Sequence, residues 1–183
     1  MDEACRALES LSKEFVEYAN EGAPRLVARG GGARGFEVRR FDESDIGPMI
    51  ICHVLVDVCD AMGANLVNGM CERLAPRCED ASGGRAFLKI LSNLADRRLV
   101  HATGRVPVER LARPDLKMDG MDVAERIVRA SVFAEVDPYR AATHNKGIMN
   151  GVDAFLLATG QDWRAVEAGA HAHAARSGTY GAM

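Results

Sequence analysis

Three features of the 183-residue sequence predict an α+β fold. The chain opens with apolar residues at helical spacing. A nearly continuous apolar and β-branched run, Met49 to Val58, follows a glycine-rich break. The second half then reads as helix after helix. Along the first part the order is helix, strand, strand, helix, strand. That is a βαββαβ pattern without its first strand.

Taken in order, residues 3–20 predict one amphipathic helix. Cys5, Leu8, Leu11, Phe15 and Ala19 recur along one face, Glu9, Lys13 and Glu17 lie elsewhere, and Pro24 follows the end. Gly30 to Gly35, GGGARG, is a sharp break that helix and strand interiors tolerate poorly. Strands are expected over Phe36–Phe41 and over MIICHVLVDV, 49–58. Residues 60–79 predict a helix, with Met62, Leu66, Met70 and Leu74 four apart. Gly83-Gly84 breaks the chain again, and 85–91 and 99–108 read as two further strands. From about residue 105 helices are expected at 120–135, 146–158 and 163–176, the last two split by Gly160. The domain division therefore falls at 104/105, giving units 1–104 and 105–183.

Apolar residues make up 48% and charged residues 27%, a globular and not a disordered composition. The net charge of −3 excludes a strongly basic nucleic-acid or polybasic membrane-surface protein. No run approaches the roughly 20 apolar residues of a membrane span, since His53 and Asp57 interrupt the most apolar stretch. The N-terminus, MDEACRALES, lacks an apolar signal core. Five cysteines, none in a C-x-x-C pair, argue against a zinc knuckle or a disulfide framework. The expectation is a cytoplasmic protein with reduced thiols, binding neither nucleic acid nor membrane.

Three stretches carry chemistry. In DAMGANLVN, Asp60 to Asn68, Gly63 admits a ligand close to the backbone, and a helix N-terminus offers free N–H groups and a positive dipole end to a phosphate. Asn65 and Asn68, three apart, share a face. Taken alone, the stretch reads as well with Asp60 as an ordinary N-cap and surface asparagines. In the second, Asp137 to Trp163, Lys146, Asn150 and Asp153 form a polar stripe opposite Ile148, Val152, Phe155 and Leu156. A lysine in a first helical turn opposes the dipole. It is either a solvated lysine or a cation held for a developing oxyanion. Third, Gly160 fits a helix C′ position and Asp162 the next N-cap. Alternatively, Asp162 is a buried carboxylate that tunes Lys146. His171 and His173, two apart on a helix, do not share a face, and no metal site is expected.

These stretches, VDVCDAMGANLVNGMCE, ILSNLADRRL, DPYRAATHNKGIMNGVDAFLLATGQDWRAVEAGAHAHAARSG and GGGARGFEVR, resemble hydroxymethylglutaryl-CoA reductases of the bacterial-type second class over almost the whole chain. The resemblance implies a two-step, NADPH- or NADH-dependent reduction of HMG-CoA to mevalonate and CoA, or its reverse. It also implies a ferredoxin-like cofactor domain set into a helix-rich HMG-CoA domain, and a homodimer. By motif it puts Asp60, Met62, Gly63, Asn65 and Asn68 on the cofactor-binding segment. Lys146 and Asp162 fall on the catalytic lysine and aspartate. Arg140 and Asn150 fall on positions that contact the hydroxymethylglutaryl group, where Arg140 can grip a carboxylate in a bidentate fork.

The resemblance places cofactor choice between the first helix and the glycines, in NEGAPRLVARGGG. The acidic position of NAD-preferring relatives falls on Ala23, with Arg25 two residues on and Arg29 nearby. NADPH is therefore expected. A shift of one residue would bring Glu21 closer. The family's catalytic glutamate lies in an earlier segment and its catalytic histidine on a later flap, and neither is matched here. His171 and His173 follow the aspartate within its helix and are not that flap histidine. The expectation is a fragment lacking both parts and inactive in isolation, with a non-catalytic nucleotide- or CoA-binding remnant as the alternative.

Overall fold

Ser10 explains why the first amphipathic stretch is two helices and not one. In the computed structural model, which describes residues 1–183, its hydroxyl donates to the Ala7 carbonyl at 2.7 Å. Such back-bonding competes with the helical ladder. The chain breaks at Leu11, leaving α1 (Asp2–Ser10) and α2 (Ser12–Glu21). The predicted spacing still holds across the break, because Leu8, Phe15 and Ala19 are all buried. A short helix, α3 (Pro24–Ala28), starts with its proline at the first helical position, where no N–H is needed.

The chain divides into two compact units, Met1–Leu91 and Ser92–Met183, a boundary earlier than the 104/105 expected. In the first unit the sheet is a two-stranded antiparallel ladder, β1 (Gly32–Phe41) and β2 (Met49–Asp57), pairing Gly32 with Asp57 and Phe41 with Met49. Gly32 to Gly35, expected to interrupt regular structure, are strand residues. Close approach is the reason. A Cβ at Gly31 would lie 2.7 Å from the Asp57 carbonyl, and one at Gly32 would strike the Asn20 amide. A bulge between Ala33 and Gly35 takes up the register. Asn20 ties α2 to β1 by accepting the Ala33 N–H (2.7 Å) and donating to the Ala33 carbonyl (3.1 Å). The Phe15 and Phe36 rings meet at 4.9 Å and 59° over the core of Leu8, Ala19, Leu26, Met70 and Leu74.

Helix α4 (Ala64–Ser82) closes this core. It begins later than the predicted residue 60, because Gly63 is the N-cap, at φ +89°. It ends on a left-handed Gly83, whose N–H bonds the Glu79 carbonyl at 2.8 Å. On β2 and α4, Cys52 and Cys78 share a thiol hydrogen bond; with partial burial, this pushes the Cys78 ionisation well up.

The strands predicted at 85–91 and 99–108 do not form. The first is replaced by a strap lying back along α4. Glu79 accepts the Ala86 N–H (2.8 Å), Glu72 pairs with Lys89 (2.9 Å) and Asn68 accepts the Leu91 N–H (2.8 Å). The periods match: five extended residues and eleven helical ones each rise about 16.5 Å. Side chains of α4 thus supply what a neighbouring strand would have supplied. Residues 99–108 contain Gly104 and Pro107, which weaken a ladder, and Leu99, Val100 and Val106 stay exposed.

The second unit is helical. Two 3-10 turns (Val108–Leu111 and Pro114–Leu116) lead into α5 (Gly120–Val136), α6 (Pro138–Ala158) and α7 (Trp163–Ala174). Asp119 and Asp122 form a reciprocal capping box on α5. Asp137 ends α5 and caps α6, accepting the N–H groups of Tyr139 and Arg140. With Pro138 behind that cap, α6 starts eight residues before the predicted 146.

Candidate functional site

In the first unit a groove of about 480 Å³ runs between the α2–α3 turn and the first two turns of α4. Arg25 and Asn65 line it from opposite sides, with Gly69 and Arg73 further along α4. Arg25 makes no hydrogen bond or ion pair, so its charge is uncompensated there. At the start of α4, the Gly63 N-cap offers no side-chain bond, and the first free backbone N–H groups belong to Ala64, Asn65 and Leu66. A helix end of this kind holds anions through N–H groups and dipole together.

Sequence spacing put Asn65 and Asn68 on one face, but the structure separates their partners. Asn65 lines the groove, while the Asn68 carbonyl oxygen is occupied by Leu91. Asp60 is not the N-cap. It pairs with Arg29 at 2.6 Å, both side chains being largely exposed, because Cys59 (φ +55°) and Gly63 turn the chain before the helix begins. Arg29 is therefore not the free cation that its position in the loop suggested. Met62 is exposed in the same turn.

In the second unit the polar stripe of α6 holds. At 3.6 residues per turn, Lys146, Asn150 and Asp153 fall within an arc of about 60°. Lys146 lies in the third turn and not the first, so the dipole argument moves to Arg140, at the third helical position. The apolar face is also displaced. Ile148 and Phe155 are exposed, and the buried row is Ala141, Asn145 and Met149. Asp153 keeps one buried carboxylate oxygen without a hydrogen-bond partner. Asp162 is exposed, forms no ion pair with Lys146 and caps α7 by accepting the Ala165 N–H at 3.1 Å. It shares a shallow hollow with Asn93, Arg164 and Ala165.

Two side chains escaped sequence reasoning. Asn145 is completely buried and satisfied by the Gly181 carbonyl (2.8 Å) and the Met183 N–H (2.9 Å). Arg73 donates to the Tyr18 carbonyl (3.0 Å) and to Glu21 (3.0 Å). Nothing in the neighbourhood of either in sequence marks these partners. Both depend on contacts more than thirty residues away.

The fold and the glycine-capped helix beside an uncompensated arginine define an α+β protein with a groove suited to an anionic ligand. The chain belongs to the hydroxymethylglutaryl-coenzyme A reductase family, whose model matches residues 1–182. It is 49% identical over 165 residues to 3-hydroxy-3-methylglutaryl-coenzyme A reductase of Archaeoglobus fulgidus, an alignment covering 90% of this chain and 36% of that protein. It is 39% identical over 177 residues to a probable 3-hydroxy-3-methylglutaryl-coenzyme A reductase of Borreliella burgdorferi, covering 93% and 40%. The chain thus spans about two fifths of the length of these relatives. Among solved structures, a Streptococcus pneumoniae 3-hydroxy-3-methylglutaryl-coenzyme A reductase superposes with a TM-score of 0.91 at 46% identity, covering 99% of this chain and 42% of that one. A second, the class II enzyme of the same organism bound to NADPH in open conformations, gives 0.86 at 43% identity, covering 99% and 43%.

Proposed function

We propose that this chain supplies the cofactor site and part of the substrate site of an NADPH-dependent reductase that converts HMG-CoA to mevalonate and CoA. The observation that carries the reading is the groove of the first unit, where Arg25 stands uncompensated opposite Asn65 at a free helix N-terminus. A dinucleotide with a 2′-phosphate needs a cation and backbone N–H donors, and this groove offers both. The NADPH-bound relative points the same way. The first unit, with its helix–strand–strand–helix order, is the ferredoxin-like cofactor domain in this reading.

In the second unit, Lys146 is the cation that meets the oxyanion formed when hydride reaches the thioester carbonyl. Asp162 assists it. Arg140 and Asn150 bind the hydroxymethylglutaryl group, the arginine by gripping its carboxylate. Asp60, Met62, Gly63, Asn65 and Asn68 form the cofactor segment. Within it, Gly63 and Asn65 stand at the helix end itself, while Asp60 and Asn68 hold Arg29 and Leu91 in place. The protein works as a cytoplasmic homodimer.

The test is a pair of kcat/KM values, NADPH against NADH, in the enzyme that carries this chain, repeated with Arg25→Leu. A clear NADPH preference that falls in the variant is expected. A preference for NADH, or no loss of NADPH use without Arg25, refutes the assignment.

A further inference from the structure

We propose that Arg73 is a specificity-determining residue of this groove, acting by neutralising Glu21. The inference rests on reading the groove as the site of a nicotinamide dinucleotide. Two acidic residues lie near it in sequence, Glu21 and Asp60, and each could repel a 2′-phosphate or accept a hydrogen bond from a 2′-hydroxyl. Both are tied up. Asp60 is held by Arg29, and Glu21 by Arg73 at 3.0 Å.

The Arg73 arrangement is built rather than incidental. Its Nε donates to the Tyr18 carbonyl at 3.0 Å while its Nη2 reaches Glu21. Its guanidinium lies 4.0 Å from the Tyr18 ring centroid, with the Arg77 guanidinium 3.7 Å from the same centroid. Arg77 in turn binds Glu14 at 2.7 Å. Arg73 and Arg77, four apart on α4, thus interlock with Glu14, Tyr18 and Glu21 on α2. Gly22 makes room, since a Cβ there would lie 2.9 Å from Arg73 Cδ. Arg73 lines the groove itself, on the same wall as Asn65 and Gly69.

The charge count follows from this geometry. Arg25 and Arg73 line the groove, and Glu21, bound to Arg73 from outside that lining, offsets it, so the one positive charge left belongs in effect to Arg25. Without Arg73, Glu21 cancels Arg25 and is free to turn toward the ribose. The groove then loses its attraction for a phosphate dianion and gains an acceptor for a 2′-hydroxyl. Arg73 therefore protects the NADPH preference without needing to touch the phosphate.

The experiment measures the NADPH-to-NADH ratio of kcat/KM in the enzyme carrying this chain, for Arg73→Gln, Glu21→Gln, the double variant and Arg25→Leu. Thermal melts check folding. Arg73→Gln is expected to lower the ratio about fivefold, a size suited to partly exposed charges. The double variant, which leaves Arg25 uncompensated again, is expected to return the ratio to within about twofold of its starting value. Glu21→Gln alone removes no packing and is expected to raise the ratio, which keeps the test decisive if Arg73→Gln does not fold. The shift is expected to shrink in about 1 M salt. A ratio unmoved by Arg73→Gln while Arg25→Leu lowers it overturns the role of Arg73 and leaves the groove assignment intact. A fall that Glu21→Gln does not reverse also overturns it, because loss of the α2–α4 lock alone would then account for the effect. If Arg25→Leu also leaves the ratio unchanged, the groove assignment itself is wrong.

Discussion

Replacing Gly63 by alanine tests how the groove's helix end is made. Gly63 sits at φ +89°, and an L-residue there costs about 1–2 kcal/mol. An added Cβ would also lie 2.5 Å from Val58 Cγ1 and 2.9 Å from Val58 Cβ. Val58 is buried, so it cannot move aside into solvent. Overpacking of this kind adds about 1–3 kcal/mol. Gly63→Ala should therefore cost about 2–5 kcal/mol in all. The contributions separate in part in the Val58→Ala background, where the two Cγ contacts are gone and the backbone cost remains together with the 2.9 Å contact to the retained Cβ. The expected cycle is a large loss for Gly63→Ala alone and a smaller one, still at least the backbone cost of about 1–2 kcal/mol, when Val58 is already alanine. Urea unfolding followed by far-ultraviolet circular dichroism gives the free energies. Trp163, the one tryptophan, reports on the second unit and serves as a control. Equal costs in the two backgrounds, or a cost under about 0.5 kcal/mol in either, would refute the argument that Val58 and the left-handed backbone together require glycine.

Three further outcomes follow from the same contacts. Asn68→Ala removes the acceptor of the Leu91 N–H, so hydrogen exchange at Leu91 should accelerate with a stability loss of about 1 kcal/mol; unchanged protection would show that the strap is held by something else. Lys146→Ala, in the enzyme carrying this chain, should lower kcat about 100-fold or more with little change in KM, whereas a raised KM at constant kcat would make Lys146 a binding residue. Cys78, whose ionisation is raised by its bond to Cys52 and by burial, should remain protonated and be slow to alkylate at about pH 8.5, while exposure of the same thiol by urea should restore ordinary reactivity; fast native labelling would contradict the arrangement.

Much of the local structure was legible because its causes are local. Helix periodicity located α1–α2, α4, α5 and α7, and the β-branched run located β2. Gly83 and Gly160 marked helix ends through their own backbone freedom, at φ +67° and +68°. The start of α6 was misplaced although its signal, Asp137 followed by Pro138, is local too. The strands expected at 85–91 and 99–108 failed for a different reason. A strand is defined by its partner, and an extended apolar run says nothing about whether the partner is another strand or the side chains of a helix. At 85–91 the partners proved to be Glu79, Glu72 and Asn68.

The sequence by itself determined the family, the order of most elements and the residue types at the candidate sites, because motifs, periodicity and capping act through near neighbours. Only the tertiary structure decided which of those residues are free. Arg25 and Arg29 look equivalent in the loop, yet Arg29 is bound to Asp60 and Arg25 to nothing. Asn65 and Asn68 look equivalent on α4, yet Asn65 lines the groove and Asn68 holds Leu91. Glu21 reads as an available carboxylate until Arg73, fifty-two residues later, is seen to neutralise it. In each case the deciding partner is distant along the chain and close in space. The charge or hydrogen-bonding capacity left for a ligand is what remains after the fold has satisfied its own polar groups.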